Sequence, residues 1–268
     1  PLVDVGRLAG ADERAAAGGF ELVIRGGDLP GVVAQREPWR MSGRLGRDEL
    51  TAATAEFGLS LTLTDTRPEV VRHDGDGWLD LGPAGSSYYY SRPRMDAAGT
   101  VQLGGEELRV AGTSWFDHQW GDFIAVGAGG WDWFAVNLDD GTDVMLALVR
   151  WTDGTYPLVF GTLVEGSGEV VHLDRDDFTV AVTAEWTSPH TAITYPAGWR
   201  IELPDHDLLI ELAPTVGAQE LDTRATSGAI YWEGSQQVAA TRAGSPLGGE
   251  AYVELTGYRP TDAASPAP

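Results

Sequence analysis

The chain has no cysteine, and none of its eighteen basic residues is lysine. Without Cys there is no thiol nucleophile, thiolate zinc site or disulfide. Without Lys there is no Schiff base, P-loop lysine or amine general base. Long apolar runs are also missing: no stretch approaches the roughly 20 residues of a membrane-spanning helix. The first residues lack the basic stretch followed by an apolar one that marks a secretory signal. The chain opens on Pro1 rather than Met, which leaves room for a removed leader. No G-x-S-x-G elbow occurs, and no G-x-G-x-x-G turn between strand and helix. His73, His172, His190 and His206 are scattered without H-x-H or H-x-x-x-H spacing. The expectation is therefore a protein with no metal and no cofactor.

Positive charge is scarce as well, and the formal net charge is −22. Phosphate backbones and anionic headgroups bind through clusters of Lys and Arg, so nucleic acid and integral membrane association are not expected. Plain solubility accounts for the acidity, which names no substrate. Absence of Cys fits a cytosolic or an exported chain, with the cytosol slightly favoured.

What the sequence does have is β-strand patterning. From about Asp132 onward, short β-branched and aromatic runs alternate with Gly, Asp and Pro: WDWFAVNL, DVMLALVRW, YPLVFGTLVE, FTVAVTAEW, WRIEL, DLLIEL, AIYWEG and EAYVELTGY. Asp139-Asp140-Gly141 separates two of them as a hairpin signal, because Asp-Gly accepts positive φ. In Phe178–Trp186 apolar residues alternate with small or polar ones, as for a strand with one face inward. An antiparallel barrel is the economical closure, since it leaves no unpaired edge. The first hundred residues are mixed, with a short helix expected near Ala11–Ala17 and strands near Gly19–Ile24, Gly58–Thr64 and Val101–Gly112 in another sheet. The tail after Tyr258 lacks apolar periodicity and reads as disordered.

Three segments carry a resemblance: SSYYYSRPRM at 86–95, GTSWFDHQWGDF at 112–123 and GGWDWFAVNLDDG at 129–141. With YWEG at 231–234 and GGEAYVELTGY at 248–258, they make the chain similar to the carotenoid 1,2-hydratase and AttH-like family, in the family's order and over nearly its whole length. The resemblance implies an all-β fold of two lipocalin-like antiparallel barrels packed side by side, with a pocket between or within them. It also implies members that hydrate carotenoid end groups or cyclise polyketide chains, Diels–Alderase-type relatives included. The implied domains are 1–112 as part of the N-terminal barrel, 113–128 as a connecting segment, 129–258 as the C-terminal barrel and 259–268 as the tail. The family's early Glu-Trp-Trp-Tyr-like segment does not precede Pro1. Either the chain is trimmed or the first barrel is completed by a companion N-terminal fragment.

Hydrating an isolated alkene needs a proton donor strong enough to make a tertiary carbocation, and surroundings that shelter the cation. A buried carboxyl beside aromatic faces meets both needs. Asp117-His118-Gln119-Trp120 and Trp131-Asp132-Trp133 offer such pairings. On an extended strand Asp117 and Gln119 point one way, and His118 and Trp120 the other. The resemblance implies His118 with Trp120 and a downstream Asp, assigned to Asp132, as the catalytic set, with Asp117 as a further candidate. The competing reading has Asp117 and Asp132 capping turns or pairing with Arg92 or Arg94, and the indoles filling a core. Ten Trp and eight Tyr suit a cavity that grips an apolar chain and orients a few oxygens. The candidate binding residues are Tyr88, Tyr90, Trp115, Trp131, Trp133, Tyr231, Trp232, Glu233 and Tyr252. Glu233 and Glu254 could reach the cavity, although facing solvent or pairing with Arg is the more economical reading.

The function expected from these features is a cofactor-independent enzyme on a long apolar polyene or linear polyketide. Intramolecular [4+2]-type cyclisation in natural-product biosynthesis comes first, acid-catalysed hydration second, and non-catalytic carriage of a hydrophobic small molecule third.

Overall fold

The computed structural model describes residues 11–16, 19–24, 39–54, 57–81, 85–122, 129–224 and 228–259. Most of the tail read as disordered lies outside them. Among the described residues nineteen strands are formed, and the only helical element is a 3-10 turn at Pro204–His206. The first nine are β1 (Ala11–Ala16), β2 (Gly19–Ile24), β3 (Trp39–Arg44), β4 (Arg47–Ala53), β5 (Phe57–Asp65), β6 (Val71–Arg72), β7 (Trp78–Asp80), β8 (Ser86–Leu103) and β9 (Glu106–Asp122). The next five are β10 (Trp131–Leu138), β11 (Asp143–Val149), β12 (Leu158–Val164), β13 (Val170–Asp174) and β14 (Thr179–Thr187). The last five are β15 (Thr194–Leu203), β16 (Leu208–Pro214), β17 (Glu220–Asp222), β18 (Ile230–Arg242) and β19 (Ser245–Thr256).

Contacts divide the chain into two compact units, one of Pro1–Val70, Arg92–Phe116 and Thr223–Gly228, the other of Val71–Ser91, Asp117–Asp222 and Ala229–Pro268. Residues 113–122, within the stretch read as a connecting segment, are strand.

In the first unit β1 to β5 follow one another in an antiparallel meander, and β5 pairs with β8 from Phe57↔Leu103 to Asp65↔Met95. Where a helix was expected at Ala11–Ala17, β1 forms and pairs along its length with β2. Ala favours helix only weakly, and a ladder with a neighbouring strand overrides that preference. The strand expected over Val101–Gly112 is interrupted by a turn at Gly104-Gly105, both at positive φ, which ends β8 and starts β9. Arg92 is buried against Asp48 and, at 2.6 Å, Asp65.

In the second unit the ladders run β13-β12-β11-β10-β19-β18-β16-β15-β14, all antiparallel. These strands wrap one core in which Phe134, Trp199 and Trp232 meet edge to face, with ring centroids 5.5 and 5.7 Å apart. The hairpin at Asp139-Asp140-Gly141 forms as the sequence indicates, with Gly141 at φ 88°. The alternation in Phe178–Trp186 is only half realised. It makes β14, but the strand lies at the edge of the sheet, shifts register between Val182 and Glu185, and leaves Val182 51% exposed.

Candidate functional site

Parity along β10 builds the site. Asp132, Phe134, Val136 and Leu138 face the core, so Trp131 and Trp133 face the opposite side of the sheet. On that outer side the register lays down two cross-strand rows, Glu254–Trp133–Ala147–Phe160 and Trp131–Val149–Leu158. They floor a cavity of about 490 Å³, within the size range of small-molecule sites. Leu79, Leu81, Tyr89, Asp117 and Gln119 complete its wall, and every lining residue belongs to the second unit.

The polar groups in the wall are hydrogen-bonded to one another. Trp133 Nε1 donates to the Tyr89 hydroxyl at 3.0 Å, and Tyr89 donates to Asp117 Oδ2 at 2.8 Å. Ser91 donates to Asp117 Oδ1. Behind Ser91 lies His73, fully buried, with Nε2 2.7 Å from the Ser91 hydroxyl and Nδ1 2.9 Å from Thr162 Oγ1. Because Ser91 gives its hydrogen to Asp117, it accepts from His73 Nε2–H, and Nδ1 accepts from Thr162. Burial pushes the His73 pKa down to about 3, with His172 nearby adding to the shift, so the ring is neutral. Burial beside Asp117 holds the Tyr89 hydroxyl protonated. At the other end of the floor Trp131 Nε1 donates to Glu254 Oε1 at 2.6 Å.

The structure separates the residues singled out from sequence. Asp117, Trp131 and Trp133 come together on the cavity wall. His118 and Trp120 share the other face of β9, with rings 4.5 Å apart, and join Tyr90 and Tyr88 in a cluster that extends to Trp78. Tyr88 and Trp120 are exposed there. Asp132 is on the inward face of β10, where Arg150 Nη1 is 3.3 Å away and the Tyr258 hydroxyl donates at 3.0 Å. Its charge partner is thus Arg150, and neither Arg92 nor Arg94 takes that role in the manner expected. Burial raises its pKa to about 6, against the lowering effect of Arg150, Tyr258 and Tyr156.

Among the aromatic candidates, Trp232 is a core residue, fully buried, with no partner for its Nε1 among the described residues. Tyr231 stands edge-on to Trp131 at 6.4 Å. Glu233 lies opposite Glu254 across β18 and β19 and bonds the Tyr252 hydroxyl, whose pKa is raised by burial and by that carboxylate. Trp115 is half-buried in the first unit. Glu254, read as facing solvent or pairing with Arg, lines the cavity and takes an indole hydrogen. Tyr89, Ser91 and His73 were missed. The available signal was parity: Ser87, Tyr89 and Ser91 alternate with Tyr88 and Tyr90, as Asp117 and Gln119 do with His118 and Trp120.

An all-β, lipocalin-like build with a cavity of small-molecule size defines the class. The AttH-like family model matches residues 6–258, and the chain belongs to the AttH-like family. Comparison with curated proteins finds no match. Among solved structures, an AttH protein of Nitrosomonas europaea is 30% identical, with a TM-score of 0.75 over 88% of this chain and 70% of that one. Kievitone hydratase of Nectria haematococca is 16% identical, with a TM-score of 0.66 over 89% of this chain and 83% of its own. CghA, in a structure with Sch210972, is 13% identical, with a TM-score of 0.60 over 92% and 73%. The last two likenesses are of fold.

Proposed function

We propose that the protein is a cofactor-independent cyclase that folds a linear apolar chain, a polyene or polyketide, for intramolecular carbon–carbon bond formation of the [4+2] type. The observation that carries this reading is the cavity wall, where aromatic and aliphatic rows meet the linked polar set Trp133–Tyr89–Asp117–Ser91. Such a cycloaddition needs no strong acid. It gains from holding the reacting ends in a near-attack pose, which can supply effective molarities of about 10⁵ M or more. Asp117, accepting hydroxyl hydrogens on both oxygens, acts as a fixed acceptor that orients the chain, and Trp131 and Trp133 shape it.

Acid-catalysed hydration is the second reading, and one observation favours it: burial raises the pKa of Asp132 to about 6, which suits a carboxyl that donates a proton near neutral pH.

Incubation with linear polyenes bearing a diene and a dienophile, followed by chromatography and mass spectrometry, separates these outcomes. A product isobaric with its precursor, formed more slowly by Tyr89→Phe and Asp117→Asn, supports cyclisation. A product heavier by one water, lost in Asp132→Asn, supports hydration instead. Tight binding without chemical change makes the protein a carrier.

A further inference from the structure

His73 lies in the turn between β6 and β7, fully buried, behind the cavity wall and within the second unit. Its backbone N–H donates to the Tyr89 carbonyl at 3.2 Å, and the Tyr89 N–H donates to the Gly77 carbonyl at 2.8 Å, so the turn is tied to β8 at the tyrosine. Its ring packs on the Tyr89 ring, with centroids 4.2 Å apart and planes at 40°. Nε2–H holds the Ser91 hydroxyl, and Nδ1 takes the hydrogen of Thr162 on β12. One ring therefore backs two donors to Asp117, Ser91 on Oδ1 and Tyr89 on Oδ2.

Burying an imidazole costs hydration that an apolar side chain of similar size does not lose, and bonds at both nitrogens offset that cost. What those bonds achieve is direction. A serine hydroxyl rotates freely, but with Nε2–H on one lone pair of its oxygen the Ser91 hydrogen is left to point at Asp117. Thr162, donating to Nδ1, fixes the tautomer that places the ring hydrogen on Nε2. The hydrogens then run one way, from Thr162 through His73 and Ser91 to Asp117, and bonds aligned in this manner strengthen one another. From this geometry we infer that His73 is a positioning residue of the cavity: it directs the Ser91 hydroxyl, steadies the Tyr89 phenol, and so fixes how the Asp117 carboxylate stands on the wall. The inference rests on the cyclase reading in taking this cavity as the site, and deepens it by naming the group that holds its orienting acceptor in place.

The test compares the whole chain with His73→Phe, Ser91→Ala and the double variant at pH 7. Phe keeps a ring against Tyr89 and removes only the polar ends, while Ser91→Ala cuts the link to Asp117 without touching a ring. The first readout is the Trp133 indole N–H resonance, identified by its loss in Trp133→Phe, because that N–H donates to the Tyr89 hydroxyl and reports where the phenol stands. Each single variant should move it and leave the resonances of Trp199 and Trp232 in the core unmoved, which also shows an intact fold. The double variant should move it no further than the larger single one, since His73 acts through Ser91. The second readout is turnover of the polyene used in the cyclisation assay, where His73→Phe should lower kcat about tenfold with KM within about twofold of wild type. A Trp133 resonance unmoved in both single variants, or shifts that add in the double variant, would overturn the inference. Displacement of the core resonances in both single variants would overturn it too, by marking His73 as a packing residue, as would a rise in KM at constant kcat. If no polyene is turned over the cyclase reading falls, and the Trp133 resonance alone then decides for or against the role of His73.

Discussion

Replacing His73 by Gln should change how stability depends on pH, by an amount set by its burial. The ring has an ordinary pKa of 6.5 when solvated and about 3 in the folded protein. Between those values the unfolded chain binds a proton that the folded chain refuses, so stability is complete above pH 6.5 and is lost as pH falls toward 3. From pH 6.5 to 4.5 the two pKa values give a loss of about 2 kcal/mol. Asp132 works against it. Its folded pKa of about 6 lies above the ordinary 3.8, so the folded chain takes up the proton first and gains about 2 kcal/mol over the same interval. The two titrations nearly cancel in the natural protein, and a single denaturation curve would reveal neither. Urea denaturation of wild type and His73→Gln at pH 6.5, 5.5 and 4.5 separates them. The variant loses the bonds to Ser91 and Thr162, a cost of about 1–3 kcal/mol that is independent of pH. Its deficit relative to wild type should then shrink by about 2 kcal/mol at pH 4.5. A deficit that stays constant across the three pH values would refute the neutral, buried ring.

Asp132→Asn should show the converse, with stability falling more steeply than wild type between pH 6 and 4, and a cost of about 3 kcal/mol at pH 7 because Arg150 is left buried without its carboxylate; the same urea series reads it. Tyr89→Phe removes a donor from Asp117 and the acceptor of Trp133 Nε1. It should cost about 1–3 kcal/mol in urea and redshift or quench the Trp133 emission. Gly130→Ala should destabilise by about 3 kcal/mol or more, since Gly130 has φ 95° and a Cβ there would lie 2.0 Å from the Thr256 carbonyl oxygen. A thermal midpoint within two or three degrees of wild type would contradict that close approach, given a shift of about 2–4 °C per kcal/mol for a chain this size.

Strand content was legible because alternation and turn residues speak locally. The run WDWFAVNL coincides with β10, and Asp139-Asp140-Gly141 with its hairpin. The Ala11–Ala17 helix failed because a weak local preference met a long-range ladder. Of the site, the residue types were visible and the assembly was not. Asp117 and Asp132 look alike in sequence, each within two residues of an indole, yet strand parity sends one to the cavity and the other to the core. Tyr89 is the middle of three consecutive tyrosines, and nothing short of fixing the phase of β8 distinguishes it from Tyr88 and Tyr90. His73 carries no spacing motif, and its partners Ser91 and Thr162 are 18 and 89 residues away.

β10 also has a consequence for how this protein could diverge. Its two sets of side chains are independent: Phe134, Val136 and Leu138 hold the core, while Trp131 and Trp133 face the cavity. Substitutions confined to Trp131 and Trp133, and to Glu254 across the ladder, could retune which molecule is accepted without disturbing the core. Insertion of one residue within β10 would instead exchange the two sets, turning Asp132 toward the ligand and an indole toward the core. Selection on this strand can therefore vary composition at Trp131 and Trp133 but cannot tolerate a change in length, so drift in specificity should proceed by point replacement, with indels confined to the turns.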